Sequence, residues 1–156
     1  MDQIKTNEPE VNIEWKFKAP INQLWDAWTN ESVISEWFGS DPNGIVVAAK
    51  LDPVPGGEFS VSFVDSDRTA HTCYGTYSEV IKPNSLRFDW NWENEPGVRS
   101  FVTVNLEEHP GYVLMKFTHS GVGTASQHNY IEGWKGTFKK LEVVLDDINN
   151  PGVNIK

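Results

Sequence analysis

At 156 residues the chain is close to the usual length of one domain and long enough to bury roughly 70% of its unfolded surface, so one core is expected. Seven Trp and eight Phe exclude a disordered chain. A formal charge of −9 without any cluster of Lys or Arg excludes a nucleic-acid backbone as partner, and no apolar run approaches the ~20 residues of a membrane-spanning helix.

Met1 to Pro9 is polar and unpatterned and is expected to fray, so residues 1–10 form a tail and 11–150 a single domain, with 151–156 a second tail. From Val11 to Lys18 the residues alternate, with Val11, Ile13, Trp15 and Phe17 on one side and charged or amide groups on the other, which predicts a half-buried strand. Pro20 fits the first turn of a helix whose apolar stripe is Ile21, Leu24, Trp25 and Trp28. Thr29 or Asn30 caps a second short helix carrying Val33, Ile34, Trp37 and Phe38, closed by Gly39 and the turn Asp41-Pro42-Asn43-Gly44. The period then changes to two. Six strands are predicted, over Gly44 to Leu51, Gly57 to Val64, Ala70 to Ile81, Ser85 to Glu93, Val98 to Glu107 and Tyr112 to Ser120. Short separators such as Lys82-Pro83-Asn84 and His109-Pro110-Gly111 suit antiparallel neighbours. The alternation points Phe59, Val61 and Phe63, then Leu86, Phe88, Trp90 and Trp92, then Val102, Val104 and Leu106, then Val113, Met115 and Phe117 to one face; Arg87, Asp89, Asn91, Glu93, Arg99, Thr103 and Asn105 lie on the other, wet face.

The last element is the longest. Thr124 with Gln127 makes a capping box, and Tyr130 or Ile131, Trp134, Phe138, Leu141, Val144 or Leu145, and Ile148 follow at helical spacing until Asn149-Asn150-Pro151-Gly152. Only the sheet is large enough to cover such a stripe. The fold class is therefore α+β, a curved antiparallel sheet of about seven strands gripping a long C-terminal helix in the order β-α-α-β6-α.

Several local motifs join this order: Trp25-Asp26-Ala27-Trp28 before Trp37-Phe38, Pro55-Gly56-Gly57-Glu58-Phe59, Gly75-Thr76-Tyr77 leading to Leu86-Arg87-Phe88-Asp89-Trp90, Phe117-Thr118-His119-Ser120-Gly121, and Gly133-Trp134-Lys135 through Leu141. On these the chain resembles the START-like superfamily, also called SRPBCC, and within it the branch named after the activator of the heat-shock protein 90 ATPase. The resemblance extends from Val11 to about Ile148. It implies the helix-grip fold and no shared catalytic set; members are implicated in binding lipids, sterols, hormones and aromatic polyketides, or in co-chaperone work. In the co-chaperone a separate amino-terminal domain accompanies this module, and this sequence carries no counterpart of it, which weighs against a full activator role.

A sheet gripping one helix leaves a gap that side chains fill or a ligand occupies. The candidate ligand-binding residues are Trp15, Trp28, Trp37, Phe59, Phe63, Trp90, Trp92, Met115, Phe117, His119, Tyr130 and Trp134, with plain core packing as the competing reading. The zone between Trp90, Phe117, His119 and Trp134 is the expected centre. A buried Trp needs a partner for its indole N–H, so seven of them point to polar groups or water nearby. His119 continues the inward series at period two. It reads as a hydrogen-bonding or acid–base group for a ligand, or as a strand-end histidine bonded to backbone near Gly121.

His71, His109 and His128 lack metal-ligand spacing, and Pro55-Gly56-Gly57 is neither a phosphate loop nor a dinucleotide fingerprint, so no metal and no cofactor are expected. Cys73 reads as a buried inert thiol with no disulfide partner, and the opening MDQIKTNEPE lacks the apolar core of a signal peptide, so a cytoplasmic location is expected. Asp65 with Asp67 and Glu107 with Glu108 read as solvated charge rather than catalytic pairs, and no catalytic residue is assigned. Gly133 and Gly136 lie inside the long helix, where each costs about 1 kcal/mol relative to Ala; either sheet backbone approaches there, or the helix bends or opens space beside Trp134.

The function expected is binding of a small apolar or aromatic molecule, lipid, sterol or polyketide-like, between sheet and helix. The alternatives are a co-chaperone-like interaction module and a cyclase or hydrolase on an aromatic substrate, for which His119 and Tyr130 are the polar groups to nominate. Exposed edge strands also allow a homodimer.

Overall fold

Alternation at period two builds the seven-stranded sheet of this protein. The computed structural model describes residues 10–93, 99–121 and 127–150. The elements follow as β1 (Glu10–Phe17), α1 (Ile21–Thr29), α2 (Glu31–Ile34), β2 (Ile45–Leu51), β3 (Glu58–Val64), β4 (Ala70–Ile81), β5 (Ser85–Trp92), β6 (Arg99–His109), β7 (Tyr112–Ser120) and α3 (Gln127–Asn149). The strands form one antiparallel sheet in the order β1-β7-β6-β5-β4-β3-β2. The first strand thus closes on the last one, and β2 is left as the far edge. This is the helix-grip arrangement expected from the pattern.

Burial follows the alternation strand by strand. Phe59, Val61 and Phe63 on β3, Leu86, Phe88 and Trp90 on β5, and Val113, Met115, Phe117 and His119 on β7 are all buried, while the residues between them are half-buried or exposed. The inner face is covered by α1 and α3. Trp28 of α1 stacks on Phe117 with ring centres 6.2 Å apart, and Trp134 of α3 lies 4.5 Å from the same ring. At each buried aromatic residue of this kind the loss to Ala is about 3–5 kcal/mol, because transfer and cavity terms add.

Several local details differ from the sequence expectation. Pro20 is the N-cap of α1 rather than its first helical residue, with extended backbone and its carbonyl accepting from Gln23 and Leu24. Asn30, not Thr29, caps α2: its side chain accepts from the N–H groups of Ser32 and Val33, while the Thr29 hydroxyl returns to Trp25 O at 2.7 Å. The second helix is a single turn, and Trp37 and Phe38 sit in the turns that follow it. Gly39 ends this segment at φ 103°, a left-handed conformation suited to glycine. The strand β6 starts at Arg99 and runs on to His109, two residues beyond the expectation, because it keeps pairing with β7 as far as His109 opposite Tyr112. The stripe of α3 ends at Leu145, and Ile148 is exposed. The proposed cap at Thr124, the turn at Pro96-Gly97 and the stop at Pro151-Gly152 lie outside the described residues.

Neither reading of the two helix glycines anticipated their neighbour. A Cβ on Gly136 would come within 3.1 Å of Ser40 O, and one on Gly133 within 3.5 Å of Ser40 Cβ. It is the loop after α2, not the sheet, that presses on α3 there. Lys140 holds that loop from the same helix, donating to Asp41 O at 3.0 Å, and burial lowers the ammonium pKa from its usual value.

Candidate functional site

Two neighbouring regions of the interior hold the candidate residues. The first surrounds His119. The register places Ser100 opposite Trp90 on β5, and His119 opposite Val102, so Ser100 and His119 are diagonal neighbours on the inner face. Ser100 Oγ lies 2.8 Å from His119 Nε2, and Trp134 Nε1 donates to His119 Nδ1 at 3.0 Å. An indole N–H only donates, so Nδ1 must be the acceptor and the imidazole proton sits on Nε2. That proton goes to Ser100 Oγ, whose own hydrogen goes to Trp90 O at 3.1 Å. The result is a closed relay from Trp134 through His119 and Ser100 to the β5 backbone. Full burial drives the His119 pKa down to about 3, so the ring is neutral.

This relay gives a third answer to the question posed by His119. Its partners are two side chains rather than backbone near Gly121, and both nitrogens are engaged. Phe117, Trp134, Trp90 and Tyr130 surround it with ring centres at 6.4, 5.9, 5.5 and 4.8 Å. Most of these rings meet the imidazole edge to face.

The second region lies beneath α1 and α2. Here nine side chains, Trp28, Ile34, Phe38, Leu51, Phe59, Val61, Tyr77, Phe88 and Trp90, wall a void of about 10 Å³, room for one water-sized body. Trp28 and Trp90 are each only 3% exposed, and neither indole N–H meets a protein acceptor among the described residues. Three other tryptophans are satisfied, Trp37 by Ala27 O at 3.0 Å, Trp92 by Tyr130 Oη at 2.8 Å and Trp134 by His119. Tyr77 adds a hydroxyl whose pKa is raised, first by burial and then by the nearby charges of Asp52 and Glu31, so it stays protonated. No charged side chain belongs to the wall. Two of its members, Ile34 and Leu51, come from the one-turn α2 and the edge strand β2, which are tied together where Glu31 Oε2 accepts from Leu51 N at 3.0 Å.

Of the predicted residues, Trp28, Phe59 and Trp90 are brought to the void, and Phe117, His119, Tyr130 and Trp134 meet around the relay. Trp37 packs edge-on against Trp28 at 4.9 Å, Phe63 and Trp92 form a pair at 6.0 Å, Met115 is buried in β7, and Trp15 lies against Phe138 at 5.9 Å. Sequence reasoning had placed Ile34, Phe38, Val61 and Phe88 on apolar faces without assigning them to a pocket. It missed Leu51 and Tyr77. Tyr77 was legible, because it continues the inward series of β4 from Cys73 at period two.

Outside these regions Asp65 and Glu107 have ordinary partners. Asp65 meets His71 at 2.8 Å, and Glu107 meets Lys116 at 2.8 Å, the latter contact holding the Glu107 carboxyl below its usual pKa. Cys73 is fully buried, and burial pushes its thiol pKa up, which leaves it protonated and unreactive. Among the described residues no helix is long and apolar enough to cross a membrane.

Solved structures share this architecture. Protein CV1439 of Chromobacterium violaceum superposes with a TM-score of 0.79 at 17% identity, over 88% of this chain and 97% of that one. Protein NE0264 of Nitrosomonas europaea gives 0.78 at 18% identity, over 92% and 97%. The AHSA1-like protein of Aeromonas hydrophila gives 0.74 at 21% identity, over 90% and 94%. At such identities the likeness establishes the fold alone. No curated protein matches the sequence. Residues 18–146 match the family described as activator of Hsp90 ATPase homolog 1-like protein, so the chain belongs to that family, the expected branch of the START-like superfamily.

Proposed function

We propose that the protein binds a small, predominantly apolar molecule in the interior beneath α1 and α2, between these helices and strands β3 to β5. The observation that carries this reading is the void itself, walled almost wholly by aromatic and aliphatic side chains of the buried core. At about 10 Å³ it admits no more than a water, so binding requires its wall to move. The weakest part of that wall is the outer one, since α2 is four residues long and β2 is an edge strand paired on one side. Displacement of α2 would enlarge the void without disturbing the relay at His119. A binding role in a reducing, cytoplasmic setting accords with the buried, unpaired thiol of Cys73.

The test is thermal unfolding and tryptophan emission of the full chain with progesterone, naringenin and monoolein, which sample sterol, polyketide and lipid shapes. A probe held at a hundred times its Kd stabilises by about 2.7 kcal/mol and should raise Tm by roughly 5–10 °C. No shift with any of the three, together with no organic mass in native mass spectrometry of protein taken from cells, would remove this reading.

One observation favours a second reading. Ile45 and Val47 on the free edge strand β2 are 63% and 57% exposed, which suits a protein-interaction module of the co-chaperone kind. Its check is the ATPase rate of a purified Hsp90 with and without the chain. Stimulation that disappears in the Ile45→Lys, Val47→Lys double variant supports it, and an unchanged rate removes it.

A further inference from the structure

Each polar side-chain group of the void's wall can donate a hydrogen bond. Trp28 and Trp90 belong to that wall, and their indole N–H groups, which donate and cannot accept, are both buried without a protein acceptor among the described residues. The Tyr77 hydroxyl is the remaining polar side-chain group of the wall, and it is held protonated. The other six members of the wall, Ile34, Phe38, Leu51, Phe59, Val61 and Phe88, are hydrocarbon. A buried donor without a partner is unfavourable, and seating an acceptor against it recovers that loss in addition to the new bond. An ammonium brought to this wall finds no carboxylate to pair with, and a carboxylate finds no cation, so either would be desolvated without an ionic partner.

We infer that this interior site selects neutral molecules carrying an acceptor oxygen, such as a ketone, quinone, lactone or ether, which takes hydrogen bonds from Trp28 and Trp90, and that it discriminates against pure hydrocarbons and against ions of either sign. This inference rests on the binding function proposed above and specifies the chemistry of that same site. Water can supply the same acceptor when no ligand is bound, so the discrimination is read between ligands of one shape. The selectivity comes from the indoles rather than from shape, because a hydrocarbon of equal size would fill the same space and leave both N–H groups without a partner.

Three probes of one size separate these contributions: 1-tetralone, which carries a carbonyl oxygen; tetralin, its hydrocarbon analogue; and 1-aminotetralin, a cation at neutral pH. With the full chain labelled with 15N, their affinities are read by tryptophan fluorescence and the indole N–H resonances by 1H–15N spectra. 1-Tetralone should bind roughly ten- to hundredfold more tightly than tetralin, with 1-aminotetralin weaker than both. The Trp28 and Trp90 indole protons should move downfield with the ketone only. In Trp28→Phe and Trp90→Phe the ratio of tetralone to tetralin affinity should fall toward one, while tetralin affinity changes little. Were one of these variants not to fold, the comparison in the unaltered chain would still decide. Equal affinities for tetralone and tetralin with unmoved indole resonances would overturn the inference and leave the binding function standing. Binding of none of the three would overturn it as well, and the binding function would fall with it only if progesterone, naringenin and monoolein also left Tm unmoved.

Discussion

The Trp134, His119 and Ser100 donors each reach an acceptor, and the chain of bonds ends on the Trp90 carbonyl; in the region of Trp28 the same kinds of aromatic residue leave two indole N–H groups without one among the described residues. The two regions even share Trp90, whose backbone completes the first and whose side chain belongs to the second. Composition does not separate them. What separates them is whether a strand neighbour supplies a polar side chain at the right register position, as Ser100 and His119 do and as Phe88 and Phe59 do not.

This contrast can be broken or sharpened by four measurements. The largest effect is expected from Trp134→Ala, which empties the meeting point of Trp28, Trp90, Phe117 and Phe138 and removes the donor to His119. A loss of about 3–5 kcal/mol in urea unfolding is expected, and a loss below about 1 kcal/mol would mean that the region is not the rigid one. Conservative replacements then compare the two regions directly. Trp134→Phe should cost about 1–3 kcal/mol because His119 Nδ1 loses its donor, whereas Trp28→Phe removes an N–H that had no protein partner and should stay within about 1 kcal/mol of the parent. Equal losses in both would erase the distinction.

Acidification probes the relay next. An unfolded histidine takes up its proton below pH 6.5, while His119 in the folded chain resists protonation until about 3. Between these values the unfolded state holds more protons, so the stability due to neutral His119 is complete above pH 6.5 and falls as the pH drops toward 3. A single such group lowers stability by at most about 1.4 kcal/mol per pH unit, or about 2 kcal/mol by pH 5. His119→Phe should flatten this dependence above about pH 5, where the hydrogen-bonded carboxylates Asp41, Asp67 and Glu107 are still ionised by virtue of their lowered pKa values. A slope that survives the replacement would place the proton elsewhere. The smallest effect concerns the loop between the regions and α3. Gly133→Ala meets Ser40 Cβ at an ordinary 3.5 Å and should stabilise by about 0.5–1 kcal/mol, while Gly136→Ala, 3.1 Å from a backbone oxygen, should gain less or lose.

Much of this was legible in the sequence, and the reasons lie in particular residues. The sheet was readable because Phe59, Val61 and Phe63, or Val113, Met115, Phe117 and His119, repeat at period two against mostly polar neighbours, and a one-residue slip would turn every one of them outward. The inward placement of His119 followed from the same rule. Its partners did not follow, since Ser100 and Trp134 are nineteen and fifteen residues away and meet it only through the β5–β6–β7 register and the angle of α3. The void was likewise hidden: Leu51 and Tyr77 belong to strands whose pairing partners had to be known before their side chains could be assigned to one wall. Periodicity reports which way a residue faces, and pairing decides whom it meets.

The bond from Leu51 N–H to Glu31 has a consequence beyond the pocket wall. An outer strand with free amides is a template on which a foreign extended segment can grow, and β2 carries exposed Ile45 and Val47 that would favour such growth. The bulge between Val46 and Ala48 breaks its straight run, and the Glu31 carboxylate occupies the amide of Leu51 at the end of the strand. Loosening α2 to admit a guest would uncover that amide as well. Were a guest to displace α2 as proposed, its entry would be coupled through this one glutamate to exposure of the strand edge.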